Sequence, residues 1–310
     1  MDDSPEGKAI LGDVAALFRL STKIFDLDLG EKQKYALLNG TVYGYKGYGV
    51  GKIDKKGTPD RCEFWGMSKD DIVGNVSPLP APDLVVQHRD VYHNFTIRCH
   101  ELAMMIMDRL DEQLHLPIGT LSSRHRISEA SGDQTRMLRM IPQPATDRRT
   151  SMVAHTDLGS ITVLFNVLGG LQILPPNGGK EEMDWRYIEP QHNCAIINVG
   201  DALSIFTNNV LHSNIHRVTY APGEQAALTR YSLAYFARPE NAAILGRLEG
   251  SDEIPSLPEG VEKLNITAGE WVQRRQMAQI QNSHKIKSKD SEPAWATVGF
   301  EDSEKIKGSS

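Results

Sequence analysis

His155-Thr156-Asp157 is the stretch of this chain most able to do chemistry. In an extended strand, side chains alternate between faces, so His155 and Asp157 point one way and Thr156 the other. One imidazole and one carboxylate on one face supply two ligands for a divalent metal. A third must come from elsewhere, and His216, within Ser213-Asn-Ile-His-Arg-Val218, is the best candidate. Two His and one carboxylate on one face of an octahedron leave three positions open, the arrangement of non-haem Fe(II) sites that admit O2 and a co-substrate. A bare His-x-Asp tripeptide is common by chance, so the weight falls on the segments that follow it. His212, four residues before His216, is the rival third ligand. On a helix both would face one ion, but Asn208-Asn-Val and Val218-Thr-Tyr favour strand or loop, where four residues span roughly 13 Å. Arg230 and Ser232 again share strand parity. A guanidinium forks two hydrogen bonds to a carboxylate and a hydroxyl adds a third.

The elements that must position these groups divide the chain. Residues 10–38 read as helical from Leu11, Val14, Phe18 and Phe25, with Leu17 and Ile24 widening the stripe. Ser21 interrupts this pattern, and Gly30-Glu-Lys-Gln-Lys34 opens a second, charged turn. Residues 39–61 interleave glycines with Tyr43, Tyr45 and Tyr48 and read as a loop or short hairpin, lining a pocket mouth or simply packing. Val91, Phe95, Cys99, Leu102, Ile106, Leu110 and Leu114 predict one long amphipathic helix, ended by Pro117 and Gly119 and covering a sheet. His93 and His100 on it stand too far apart to share a metal. Residues 135–141 read as a strand. Short β-like runs then follow at Ile161–Phe165, Leu171–Leu174, Ala195–Val199, Ala202–Phe206, His216–Tyr220 and Tyr231–Phe236, separated by Gly, Pro and Asn turns. Many short strands after a helical half predict a mainly β fold with flanking helices, an antiparallel barrel or jelly roll. Thr267–Gln281 reads as a last helix carrying Trp271 and Met277, and the end is rich in Lys, Ser, Asp and Glu. The expected organisation is a single domain over 1–310. In it, residues 10–134 form a mostly helical support, 135–240 the β core, 265–282 the closing helix and 283–310 a mostly flexible tail.

Composition narrows the function classes. A net charge of -6 and a pI near 5.9 give no basic footprint for nucleic acid. Met1-Asp-Asp-Ser-Pro-Glu lacks the apolar core of a signal peptide, and no apolar run approaches a membrane span. The three cysteines, Cys62, Cys99 and Cys194, are odd in number and far apart, which predicts reduced thiols in a cytoplasmic protein rather than a disulfide framework.

Taken together, His155-Thr-Asp-Leu-Gly159, Gly169-Gly-Leu-Gln-Ile173, Asn198-Val-Gly-Asp201, Thr207-Asn208, Ser213-Asn-Ile-His-Arg-Val218 and Arg230-Tyr-Ser232 resemble the iron(II)/2-oxoglutarate-dependent dioxygenase family, in its isopenicillin N synthase-like branch. The match runs from about residue 11 to residue 280, with fainter echoes at Leu29-Gly-Glu-Lys32 and Gly44-Tyr-Lys-Gly47. The resemblance implies a double-stranded β-helix with iron on His155, Asp157 and His216, the ligand standing directly before Arg-Val. It also implies 2-oxoglutarate held by Arg230 and Ser232, and O2 as reactant. The implied reaction hydroxylates, desaturates or cyclises a small molecule, in secondary metabolism, releasing succinate and CO2. Leu164, Phe165, Phe206, Tyr235 and the Tyr43–Tyr48 loop are candidates to line the substrate pocket, each equally readable as core. Two departures stand out. Ile141 occupies a position where the family often carries Tyr, and the family's opening strand and helix have no counterpart before residue 11, which would leave a β edge exposed. Three other readings remain. They are a same-fold iron oxidase that does not use 2-oxoglutarate, an inactive binding protein, and a zinc hydrolase using His212 and His216.

Overall fold

A computed structural model of the chain describes residues 3–37, 41–54, 56–175, 184–261 and 264–275. The first helix, α1 (Pro5–Phe25), starts earlier than its apolar stripe because Ser4 caps it, accepting from the Gly7 amide at 3.0 Å with Pro5 at the first position. Ser21 does not interrupt it. Its hydroxyl donates to the Leu17 carbonyl at 2.8 Å, which satisfies a polar group on the buried face. A short turn, α2 (Leu29–Gln33), follows, capped by Asp28.

The Gly/Tyr stretch, read as a loop or short hairpin, does hold a strand, but that strand's partner lies beyond residue 61. The strand is β1 (Gly44–Lys46), paired antiparallel with β2 (Glu63–Ser68). Glu63 is fully buried and accepts from the Tyr45 hydroxyl at 2.6 Å and from Arg139 Nε at 2.6 Å. Tyr45 therefore serves this buried network and not a pocket mouth. After α3 (Lys69–Ile72) and α4 (Asp83–Val86) comes the long helix α5 (Arg89–Gln113). Its buried face is Tyr92, Phe95, Thr96, Cys99, His100, Ala103 and Met107, with Val91, Leu102, Ile106 and Leu110 flanking it half-buried.

The β-rich part contains β3 (Gln134–Met140), β4 (Met152–His155), β5 (Ile161–Asn166), β6 (Leu171–Ile173), β7 (Arg186–Tyr187) and β8 (Ile196–Val199). Then come α6 (Asp201–Phe206), β9 (His216–Val218), β10 (Arg230–Ala237), β11 (Ile244–Leu245) and β12 (Ile266–Thr267). Residues 202–206, expected as a strand, are helix α6. Ala202, Leu203 and Phe206 bury one face of that single turn, and a short apolar run carries no periodicity that separates the two states. Thr267 and Glu270 form a reciprocal capping box at 3.2 Å that starts a final helix over residues 268–275. The rest of that predicted helix, with Met277, and the tail at 283–310 lie outside the described residues.

Among the described residues every pair of the named strands is antiparallel. A six-stranded sheet runs β1-β2-β3-β10-β5-β8, a four-stranded sheet runs β4-β9-β6-β7, and β11-β12 form a separate pair. This is a jelly roll with helices outside it, but two strands of the larger sheet come from residues 44–68, ahead of the expected core. Strand parity sorts the larger sheet into two faces. Thr135, Met137, Phe165 and Tyr235 meet α5: Phe95 stacks edge-on to Phe165 at 6.0 Å, Thr96 and Thr135 share a 2.8 Å hydrogen bond, and His100 meets the Tyr235 hydroxyl at 3.0 Å. The other face, with Arg230, Ser232 and Leu164, looks toward the smaller sheet.

One buried histidine behind the sheet sets an acid limit. His125 bonds the Leu121 carbonyl and Ser160 hydroxyl, each at 2.8 Å, and burial pushes its pKa down to about 4. The unfolded chain therefore binds a proton between pH 6.5 and 4 that the folded chain refuses. Stability is complete above pH 6.5 and falls as pH drops toward 4, by about 3 kcal/mol from this residue. Urea unfolding of the metal-free protein at pH 7 and pH 5 is expected to show a smaller pH difference in His125→Asn than in the parent. An equal difference would remove His125 as a cause.

Candidate metal centre

The triad is assembled by strand register. β4 and β9 pair with His155 directly opposite His216, and the two rings stand 4.3 Å apart. Asp157, two residues beyond β4, turns its Oδ1 toward both, 3.9 Å from His155 Nε2 and 3.8 Å from His216 Nε2. One ligand atom from each residue lies within 4.8 Å of the others. His212 is exposed and outside this cluster, and the helix a zinc hydrolase would need there is absent among the described residues.

The tautomers follow from the backbone. His155 Nδ1 is 2.9 Å from the Val153 carbonyl, and His216 Nδ1 is 3.1 Å from the Asn214 carbonyl. A carbonyl only accepts, so each Nδ1 carries the proton and each Nε2 lone pair faces the triad centre. Burial, aided by His216, pushes His155 down to about 4, so it stays neutral. For Asp157, burial opposes the charge. The two imidazoles and hydrogen bonds from Thr162 and Asn198 outweigh it and hold the carboxyl below its usual range.

The larger sheet orients Asp157. Thr162 on β5 and Asn198 on β8 each donate to its Oδ2 at 2.7 Å, leaving Oδ1 for a metal. Thr162 did not emerge from the sequence, although its parity on β5 matches Leu164. The Asp157 loop is clamped from behind. The Asp201 amide donates to the Asp157 carbonyl at 2.8 Å and the Ala202 amide to the Gly159 carbonyl at 3.0 Å. A Cβ on Gly200 would lie 2.2 Å from the Gly159 carbonyl oxygen, so only glycine admits this approach. The Asn198-Val-Gly-Asp201 pattern is thus one device for aiming one carboxylate.

Arg230 and Ser232 stand on the inner face of β10. Arg230 Nε donates to the Gly169 carbonyl at 2.7 Å and Nη1 to the Ser232 hydroxyl. Gly170 allows this turn at φ +105°, where a side chain would strain the backbone. Arg230 is 5% exposed, and burial pushes it down to about 10, so it is charged and has no carboxylate partner among the described residues. Ile141 is 44% exposed and offers no side-chain hydrogen bond. The donor set fits a metal that takes two neutral imidazoles and one carboxylate, together with an acidic co-substrate that supplies Arg230 with an anion.

The candidate pocket residues separate. Leu164 packs against Leu138, Met140, Leu171 and Val218 between the sheets. Phe165, Phe206 and Tyr235 do not reach the site. Phe165 packs under α5, Phe206 is buried in α6, and the Tyr235 hydroxyl donates to Asp133 at 2.7 Å behind the sheet. Their positions are core positions, and the pocket assignment for these three is corrected.

The 2OG-Fe(II) oxygenase superfamily model matches residues 132–239. A 2-oxoglutarate-dependent dioxygenase of Aspergillus fumigatus is 31% identical over 289 residues, covering 87% of this chain and 75% of that protein. A 2OG-Fe(II) oxygenase family protein from Caulobacter crescentus superposes with a TM-score of 0.70 at 26% identity, covering 86% of each chain. A full-length Neurospora crassa protein, solved in complex with alpha-KG and thymine, superposes with a TM-score of 0.71 at 23% identity over 90% of this chain and 85% of its own, a likeness of fold.

Proposed function

Because the chain belongs to the 2OG-Fe(II) oxygenase superfamily, with Fe(II) as cofactor and 2-oxoglutarate as co-substrate, we propose that His155, Asp157 and His216 hold the iron and that Arg230 with Ser232 anchors 2-oxoglutarate. The enzyme then oxidises a small organic molecule with O2, by hydroxylation, desaturation or ring closure, and releases succinate and CO2. The observation that carries this reading is the convergence of two Nε2 lone pairs and one oriented carboxylate oxygen. Its histidines stand on the smaller sheet and its carboxylate is tied through Thr162 and Asn198 to the larger one, whose inner face bears the buried Arg230 guanidinium with no carboxylate partner among the described residues.

Iron bound there supplies the coupling of 2-oxoglutarate decarboxylation to oxidation of a C–H bond. The side chains do the rest. His155 and His216 bind through Nε2 because their Nδ1 protons are committed to backbone carbonyls. Asp157 provides the compensating charge, and Thr162 with Asn198 fixes its plane. Arg230 and Ser232 orient the co-substrate by its far carboxylate. Leu164, with the apolar cluster of Leu138, Met140, Leu171 and Val218, excludes water beside the reacting groups and contacts the substrate.

The setting we propose is secondary-metabolite biosynthesis in a reducing, cytoplasmic compartment. The former rests on the motif resemblance drawn from the sequence, and the free thiols Cys62, Cys99 and Cys194 support the latter. No described helix is long and apolar enough to cross a membrane.

Product analysis tests the reaction class. One succinate per oxidised substrate is expected. Oxidised product without succinate would transfer the site to the iron-oxidase reading, in which O2 alone is the oxidant.

A further inference from the structure

The inner face of the larger sheet carries a second cationic group that the co-substrate anchor does not use. Gln134 and Arg136 lie on β3, and Arg238 directly follows β10. Register sets Arg136 opposite Ala234 and Gln134 opposite Phe236. Ala234 is four residues along β10 from Arg230, roughly 13 Å of strand. Arg230 is already turned toward Gly169 and Ser232.

Three buried donors in this group have no acceptor: Arg136 Nε, Arg238 Nε and Gln134 Nε2. Gln134 is 0% exposed and Arg238 7% exposed. Neither arginine forms an ion pair among the described residues. The Arg136 guanidinium donates to Gln134 Oε1 at 3.0 Å and lies 4.2 Å from the Phe64 ring centroid and 5.2 Å from that of Phe236. Two aromatic faces fix the guanidinium plane and leave its N–H edge for an in-plane acceptor. Space is kept for Arg238 by glycine. A Cβ on Gly132 would lie 2.9 Å from Arg238 Nη1, and one on Gly159 would lie 3.0 Å from its Cγ.

Unpaired buried charge is costly, and buried donors without acceptors are rare in folded chains. Burial, and then Arg238, pushes Arg136 down to about 10, so it keeps its charge at neutral pH and the cost persists. The group neighbours the triad: Phe236, opposite Gln134 on one side, is opposite Thr162 on the other, and the Thr162 hydroxyl donates to Asp157 at 2.7 Å. Such a cost is retained where a ligand supplies the missing anion. A clamped planar fork matches the two oxygens of a carboxylate, and the Gln134 amide adds a neutral donor.

We infer that Arg136, Arg238 and Gln134 recognise a carboxylate on the organic substrate and hold that substrate beside the His155–Asp157–His216 triad. The substrate class is therefore a small carboxylic acid, distinct from 2-oxoglutarate, which keeps Arg230. This rests on the oxygenase reading above.

Calorimetric titration with benzoate, benzamide and phenyl phosphate tests it, on metal-free protein and on anaerobic protein loaded with Fe(II) and saturating 2-oxoglutarate. Benzoate is expected to bind the loaded protein at least about tenfold tighter than benzamide. Arg136→Met and Arg238→Met should each erase that preference while leaving 2-oxoglutarate affinity within about twofold. Metal-free Arg136→Met should melt no lower than the parent, because an uncompensated charge has been removed. The inference is overturned if benzoate binds only without 2-oxoglutarate, if it binds no better than benzamide or not at all, or if phenyl phosphate binds tighter. Survival of the preference in both variants, or a large fall in melting temperature for Arg136→Met, also overturns it. Failure to bind iron or 2-oxoglutarate would instead count against the oxygenase reading. The benzoate titration of metal-free protein would still decide the carboxylate site.

Discussion

Asp157→Ala leaves the protein unable to hold Fe(II) and stops 2-oxoglutarate consumption. The triad offers one charged ligand, and the two imidazoles that remain are neutral at their Nε2 atoms. Thr162 and Asn198 lose the acceptor to which both donate at 2.7 Å, so two polar groups are stranded as well. Removing a residue that merely orients a ligand lowers metal affinity by about 10–100-fold, which is the loss expected for Thr162→Val. Removing the ligand itself should exceed that range. Iron content after gel filtration and anaerobic iron titration would measure both variants. Retention of stoichiometric iron by Asp157→Ala, with normal turnover, would remove the residue from the metal site.

Arg230→Ala keeps iron and loses 2-oxoglutarate. Arg230 is nearly enclosed, carries its charge, and is aimed by the Gly169 carbonyl and the Ser232 hydroxyl, so it is pre-organised for an anion. Truncating one partner of a buried, hydrogen-bonded charge pair costs about 2–5 kcal/mol, or roughly 30-fold to several thousand-fold in Kd. Because the triad stands on β4, the loop after it and β9, apart from β10, iron affinity should hardly move. Equilibrium binding of 2-oxoglutarate to Fe(II)-loaded protein gives the comparison. Parent-like affinity in Arg230→Ala would place the co-substrate elsewhere.

Much of this site was legible because its geometry is local to strands. The x-spacing of Arg230 and Ser232 inside β10 fixes that they share a face, whereas Asp157 lies two residues past β4 and needs Asp201, Ala202, Thr162 and Asn198 to hold it toward His155. The pairing of His155 with His216 needed the register of β4 against β9, which no local pattern specifies. Parity also contained information that went unread. Tyr235 is an odd number of residues from Arg230 and so faces away from it, toward α5, whereas the inward direction of Arg136 needed the register of β3 against β10. The strand β2 was hidden because its order, Glu-Phe-Trp-Gly-Met-Ser, puts a buried acid and a glycine where alternation expects apolar residues. Glu63 is buried by partners distant in sequence, Tyr45 and Arg139, and Gly66 by close approach of the Val42 carbonyl, at 2.6 Å from a Cβ placed there. Helix α6 was hidden for the opposite reason, since every residue from Ala202 to Phe206 is partly or wholly buried and no period survives.

Anaerobic addition of 2-oxoglutarate to the Fe(II)-loaded protein, followed in the visible range, tests the joint assignment of triad and anchor. A weak metal-to-ligand charge-transfer band that grows to saturation in the parent and is missing at the same concentrations in Arg230→Ala is the predicted result. Iron bound with no band at any 2-oxoglutarate concentration, or an undiminished band in Arg230→Ala, would contradict it.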